Sequence, residues 1–223
     1  MPPSSSNPKL TIFENLAAVA QALGHAHRLA LLESVAQGAR SVEKLAETTG
    51  LTMANASRHL QMLRRARLVD TKRQGKRVFY RLAGEAEVVN LLKALGHVGK
   101  SNLAEVRDVM RDFFDDRDAL EAVSREDLLA RLNDGAVTVL DVRPPEEYAL
   151  GHLPGAINIP AGELQRRLAG LPKNREVVAY CRGPYCVMSF EAVAALRAEG
   201  YTAHRLEDGF PEWQAAGLAV EVA

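Results

Sequence analysis

Cys181 and Cys186 are the only cysteines in the chain, and by type they are the residues most able to do covalent chemistry. Five positions apart, they frame Arg182-Gly183-Pro184-Tyr185. The segment EVVAYCRGPYCVMSFEAVAALRAEG reads as a buried strand ending at Tyr180, a loop opening at Cys181 and a helix from about Cys186 to Glu199. At the carboxyl end of a parallel strand, loop N–H groups and the positive end of a following helix converge, and both stabilise a thiolate or a bound anion. A thiol held there has a depressed pKa and is nucleophilic. The competing reading is a strand-end cysteine that merely packs. For Cys186 the alternatives are a second reactive thiol and a small helix-start residue facing the core. Two cysteines in a reducing compartment favour thiol chemistry over a structural disulfide. Linking them is expected to require the loop to reshape, because a disulfide needs Cα atoms within roughly 7 Å.

A second set of residues offers electrostatics instead of covalency. Residues 56–81 hold nine basic side chains, Arg58, Arg64, Arg65, Arg67, Lys72, Arg73, Lys76, Arg77 and Arg81, against one acid, Asp70. Such a concentration suits a polyanion, the alternative being a solvated charged face. The formal net charge of zero conceals it: residues 1–120 carry 18 Lys and Arg against 13 Asp and Glu, and residues 121–223 carry 10 against 15.

These groups need elements to position them. A length of 223 residues implies two domains of roughly 100 residues, each with its own core. Ile12, Leu16, Val19 and Leu23 recur at helical spacing from Leu10 to Gly24. A second helix, His27 to Val35, ends before Gly38, and a third follows Ser41 and closes at Gly50. Thr52 then caps MANASRHLQMLRRARLV, read as one helix with Met53, Ala56, Leu60 and Leu63 on the core side. Its other face carries Asn55, Ser57, Arg58, His59, Gln61, Arg64 and Arg65, groups suited to base edges and phosphates in a major groove. Beyond it, LVDTKRQGKRVFYRLA places Lys72, Arg73, Lys76 and Arg77 at the tip of a β-hairpin turning at Gly75. Two short helices joined by a tight turn and followed by a basic wing form a winged helix-turn-helix, an α+β unit. A helix at Ala86 to His97 follows. Residues 100–120 read as a helical connector, and from Ser124 helices and strands alternate, the pattern of an α/β domain with a mostly parallel sheet.

Helix pair, reading helix and wing over residues 10–99, above all ASRHLQMLRRARLVDTKRQGKRVFYRL, resemble the ArsR/SmtB family of winged-helix regulators. The resemblance implies a homodimer on a palindromic double-stranded operator, with the first helix and the Ala86–His97 helix at the dimer contact. Metal sensors of that family carry cysteines in the helix matching SVEKLAETTG, which has none here, so no metal site is expected. His25, His27, His59 and His97 read as surface or packing residues. Across residues 121–223, LDVRPPEEYALGHLPGAINIP, YCRGPYC and LEDGFPEWQAAGLAV resemble in order the three signature regions of single-domain rhodaneses. That resemblance implies a catalytic loop in which Cys181 takes a sulfane sulfur from thiosulfate, polysulfide or a persulfide, Arg182 opens the loop, and a thiol acceptor removes the sulfur. The loop departs from the family in ending on Cys186, and this second thiol could attack a Cys181 persulfide.

No apolar run reaches the roughly 18 residues of a membrane span. MPPSSSNPK lacks the apolar core of a secretory signal, so residues 1–9 read as a disordered lead-in to a cytoplasmic protein without a cofactor. Three functions follow: a regulator responding to sulfane sulfur or redox state through Cys181, a sulfurtransferase whose DNA-binding domain controls its own operon, and a sensor binding a soft, arsenic-type ion through Cys181 and Cys186.

Overall fold

The computed structural model describes residues 7–75, 77–112 and 122–223. The chain divides into two compact units that meet between Val88 and Val89. Phe113 and Phe114 of the expected connector, and Lys76 of the wing, lie outside the described residues.

In the first unit, α1 (Pro8–Leu23) starts two residues ahead of the apolar repeat, because Asn7 accepts the Lys9 N–H at 3.1 Å and Pro8 occupies the first helical position. It is followed by α2 (Ala26–Ala36), β1 (Arg40–Ser41), α3 (Val42–Thr49), α4 (Met53–Arg65), β2 (Val69–Gln74) and β3 (Arg77–Leu82). Ser41 and Thr52 cap α3 and α4 by accepting the Lys44 and Asn55 N–H groups, while Gly50, at φ 66°, ends α3 in the left-handed region. The core is made by Leu31 and Leu32 of α2, Leu45 of α3, and Ala56, Leu60 and Leu63 of α4, all without solvent exposure. β3 is the middle strand of a three-stranded antiparallel sheet in the order β1-β3-β2.

Two expectations for α4 need correction. Met53 is 46% exposed: it is the first residue of the helix, ahead of Ala56, the first to reach the core. The helix also stops at Arg65 and does not run on to Val69, because Arg67 adopts φ 56°, which turns the chain so that Leu68 is buried and Val69 begins β2.

The second unit opens within α5 (Glu85–Asn102) and continues through α6 (Ala104–Met110), α7 (Arg125–Asn133), β4 (Val137–Asp141), α8 (Pro145–Leu150), β5 (Ile157–Asn158), α9 (Leu164–Arg167), β6 (Glu176–Tyr180), α10 (Val187–Ala198), β7 (Ala203–Arg205) and α11 (Phe210–Ala215). Its four strands are parallel throughout, in the order β5-β4-β6-β7. Alternation along β6 builds a core on each face. Val177, Ala179 and Cys181 pack with Leu140, Val193 and Leu196, while Val178 and Tyr180 pack with Val139, Phe210 and Trp213. A parallel sheet covered on both faces reads as near-continuous apolar runs, which is why EVVAY reads as a buried strand in the sequence.

Candidate functional site

Central strand β6 delivers Cys181 one residue past its end, 2% exposed and on the face that packs against α10. The Phe210 N–H donates to the Cys181 carbonyl at 3.0 Å, tying the loop entrance to the start of α11. At the other end Cys186 is the N-cap residue of α10, makes no side-chain cap hydrogen bond, and packs into the same core as Cys181. The helix therefore keeps its positive end directed at the loop, without a side chain to neutralise it.

The two cysteines are bonded to each other, with Cα atoms 6.2 Å apart. The expectation that a link would require the loop to reshape is corrected by this distance: a turn in which the Cys186 N–H reaches the Gly183 carbonyl at 3.2 Å already brings the ends within bonding range.

Arg182 points to Glu147 on α8. Its Nε lies 3.0 Å from both carboxylate oxygens and its Nη2 2.6 Å from Oε1, a bidentate pair whose carboxylate side chain is 1% exposed. Beneath the loop, Asp141 and Arg143 are fully buried and paired at 2.7 Å. The Tyr180 hydroxyl donates to Asp141 Oδ2 at 2.5 Å and accepts the Leu153 N–H at 3.1 Å, and Arg143 donates to the Gly151 carbonyl at 2.7 Å. Burial, and then the Asp141 charge, push the Tyr180 hydroxyl well above its ordinary range, so it stays a donor at any physiological pH. This network holds the ends of β4 and β6 rigid under the loop. Glu147 was not among the residues singled out from the sequence. It lies 35 positions from Arg182, and its only signal was its place in the PPEEY phrase.

In the first unit, Asn55, Arg58, Gln61, Arg64 and Arg65 are exposed along α4, and Ser57 and His59 are half-buried beside them. Lys72, Arg73 and Arg77 are exposed on the wing, where Arg73 Nε donates to the Gly75 carbonyl at 3.1 Å and Gly75 sits at φ 60°. The expected reading face is therefore one continuous helix surface, with cations in its last turn. The histidines are less scattered than their spacing suggests: His25 and His27 stand against His59, while His97 lies on α5.

Comparison with known proteins follows this division. A family model for the helix-turn-helix domain matches residues 23–72, and one for the rhodanese-like domain matches residues 124–216. The chain is 44% identical over 216 residues to the HTH-type transcriptional regulator Rv0324 of Mycobacterium tuberculosis, an alignment covering 97% of this chain and 94% of that protein. The chain belongs to this family of HTH-type transcriptional regulators. In this HTH-type regulator the rhodanese-like half is also 35% identical over 100 residues to a sulfurtransferase of Allochromatium vinosum, covering 44% of this chain and 92% of that one. Among solved structures, the regulator is similar to the homodimeric winged helix-turn-helix DNA-binding domain of Mb0332 from Mycobacterium bovis, with 36% identity and a TM-score of 0.42 over 46% of this chain and 94% of that one. No helix of its described residues is long and apolar enough to cross a membrane.

Proposed function

We propose that the protein is a homodimeric repressor that reads a palindromic operator through α4 and the wing and whose operator affinity is set by the sulfur state of Cys181 and Cys186. The observation that carries the reading is the pair of cysteines at the strand-to-helix junction with Cα atoms 6.2 Å apart. In the reduced protein, the Cys181 thiolate attacks a sulfane sulfur of a polysulfide, forming a persulfide and expelling the shortened polysulfide anion. The Cys186 thiolate then attacks Sγ of Cys181 and expels hydrosulfide. The two thiols lose two electrons and the departing sulfur gains them. Two equivalents of a low-molecular-weight thiol restore the dithiol. Persulfide and disulfide place different charge in the loop, and a ligand state shifts an equilibrium only through such a difference.

A second reading is a working sulfurtransferase. The buried Cys181 at the end of a central parallel strand favours it, with the Arg182–Glu147 pair fixing the loop beside it. A soft ion bridged by the two reduced thiols is the third. Operator affinity is measured for the reduced protein, after polysulfide, and after trivalent arsenic, in wild type, Cys181→Ser and Cys186→Ser, with intact-mass spectrometry reporting the thiol state. The proposal expects wild type to respond to polysulfide, Cys181→Ser to take up no sulfur, and Cys186→Ser to load sulfur without the full response. Thiosulfate turnover with unchanged operator affinity would establish the enzyme reading in its place.

A further inference from the structure

The α1–α2 junction and the middle of α4 bring three imidazoles together. His25, His27 and His59 each present a ring nitrogen, and the three nitrogens lie within 4.8 Å of one another. Ring centres are 4.5 Å apart for His25 and His59, 5.1 Å for His25 and His27, and 5.7 Å for His27 and His59, with the planes tilted by 48°, 49° and 77°. No pair is stacked face to face. We propose that these three histidines form a binding site for a borderline divalent transition-metal ion, of the zinc, cobalt or nickel type, with a fourth position left open to solvent.

The atoms are individually suited to it. His25 Nδ1 accepts the His27 N–H at 3.1 Å as the N-terminal cap of α2, which puts the ring proton on Nε2, so the ligand atom is Nδ1 and a bound metal would take its lone pair from the cap. His59 Nδ1 is buried without a hydrogen-bond partner among the described residues, a polar atom that a coordination bond would satisfy. A tetrahedral centre with metal–nitrogen bonds near 2.0–2.1 Å sets its nitrogens about 3.3 Å apart. The most distant pair must therefore close by up to about 1.5 Å, and two of the three rings are exposed and can turn.

The charges nearby determine which ions would bind. Arg28, Arg58 and the positive end of α2 all oppose a cation, and the cluster contains no carboxylate. An ion held mainly by charge, such as calcium or magnesium, gains nothing here. One that forms covalent bonds to imidazole nitrogen does. Arg28 itself is committed elsewhere, with Nε on the Ala22 carbonyl and Nη2 2.9 Å from the Gln21 carbonyl, so it cannot fold into the cluster.

His59 lies on the α4 face assigned to base contact, so metal and operator would compete for it. This linkage rests on the DNA reading, whereas metal binding alone does not. Cobalt(II) and zinc titrations against a chromophoric chelator are run on the full chain with both cysteines replaced by serine. The parent is expected to bind one ion per chain, with a cobalt spectrum free of thiolate charge transfer. His25→Asn, which keeps a capping oxygen, His27→Gln and His59→Gln should each weaken binding at least tenfold, since the loss of even a supporting group costs about 10–100-fold. His97→Gln should leave it unchanged. Thermal unfolding confirms that each variant folds. Equal affinity in the parent and in folded His27→Gln and His59→Gln overturns the site. If the site binds metal as described but operator affinity is the same with and without zinc, the competition with DNA is overturned and the site stands.

Discussion

A methyl group at position 209 would lie 2.3 Å from the Gly183 amide nitrogen and 2.5 Å from the Arg182 carbonyl carbon. The backbone of Gly209, at φ −106°, would accept any residue, so the glycine is there because the cysteine loop packs directly on it. Gly209→Ala should lower the stability of the second unit by about 1–3 kcal/mol through overpacking. It should also reduce sulfur uptake at Cys181 as the loop is displaced, read by thermal unfolding and intact mass together. Three residues on, Glu212 accepts the Gly209 N–H at 2.9 Å, and burial, the largest influence on it, raises its carboxyl to about 7. Its folded pKa is above the unfolded value of 4.5, so the folded state holds the extra proton between those limits and stability falls as pH rises from about 4.5 to 7. The loss is on the order of 3 kcal/mol. Glu212→Gln, which keeps an acceptor, should flatten that part of the stability–pH curve in denaturant titrations. Cys181 was legible in the sequence because its type, the preceding apolar strand and the following helix all point to one junction. Glu147 and the convergence of His25 and His27 with His59 were not, because each contact spans more than thirty positions and only the folded topology closes that distance.

Among the elements, α4 was the most readable and also the most misread. Its capping Thr52, its buried Ala56, Leu60 and Leu63, and its polar face follow from spacing alone. Its end does not, because the sequence continues apolar through Leu68 and Val69 and the turn is made by Arg67, a residue that rarely takes positive φ. The strand β5 was missed for a related reason: two residues paired with Leu140 and Asp141 are too short to show a period. The last turn of α4 presents Arg64 and Arg65 to solvent with no resolved acidic partner among the described residues. Each phosphate contact contributes about 0.9 to the slope of log affinity against log salt. Replacing both arginines by alanine should therefore flatten the slope by roughly two units, measured by fluorescence anisotropy on an operator duplex. An unchanged slope would place the DNA face elsewhere.

For the molecule as a whole, Leu10, Ile12, Phe13 and Leu16 of α1 are each more than half exposed, a row of large apolar side chains on an amphipathic helix. Leu91, Leu95 and Val98 of α5 are also exposed. Such faces are costly in water and suit burial against a second copy. Ile12→Glu with Leu16→Glu should convert a dimer to monomers in light scattering and weaken operator binding by the loss of one half-site, while leaving sulfur uptake at Cys181 intact. The two units differ in another respect. The sheet of the first is complete once β3 is made, its longest pairing joining Arg40 to Tyr80. In the second, β4 must wait for β6, some forty residues on, and Phe210 closes the Cys181 end of the loop. Domains fold as units, the N-terminal one first during synthesis. During translation, then, the first unit is complete while Phe210, whose N–H holds the Cys181 carbonyl, is still to be made. On the proposed function, the DNA-reading half would precede the loop that controls it.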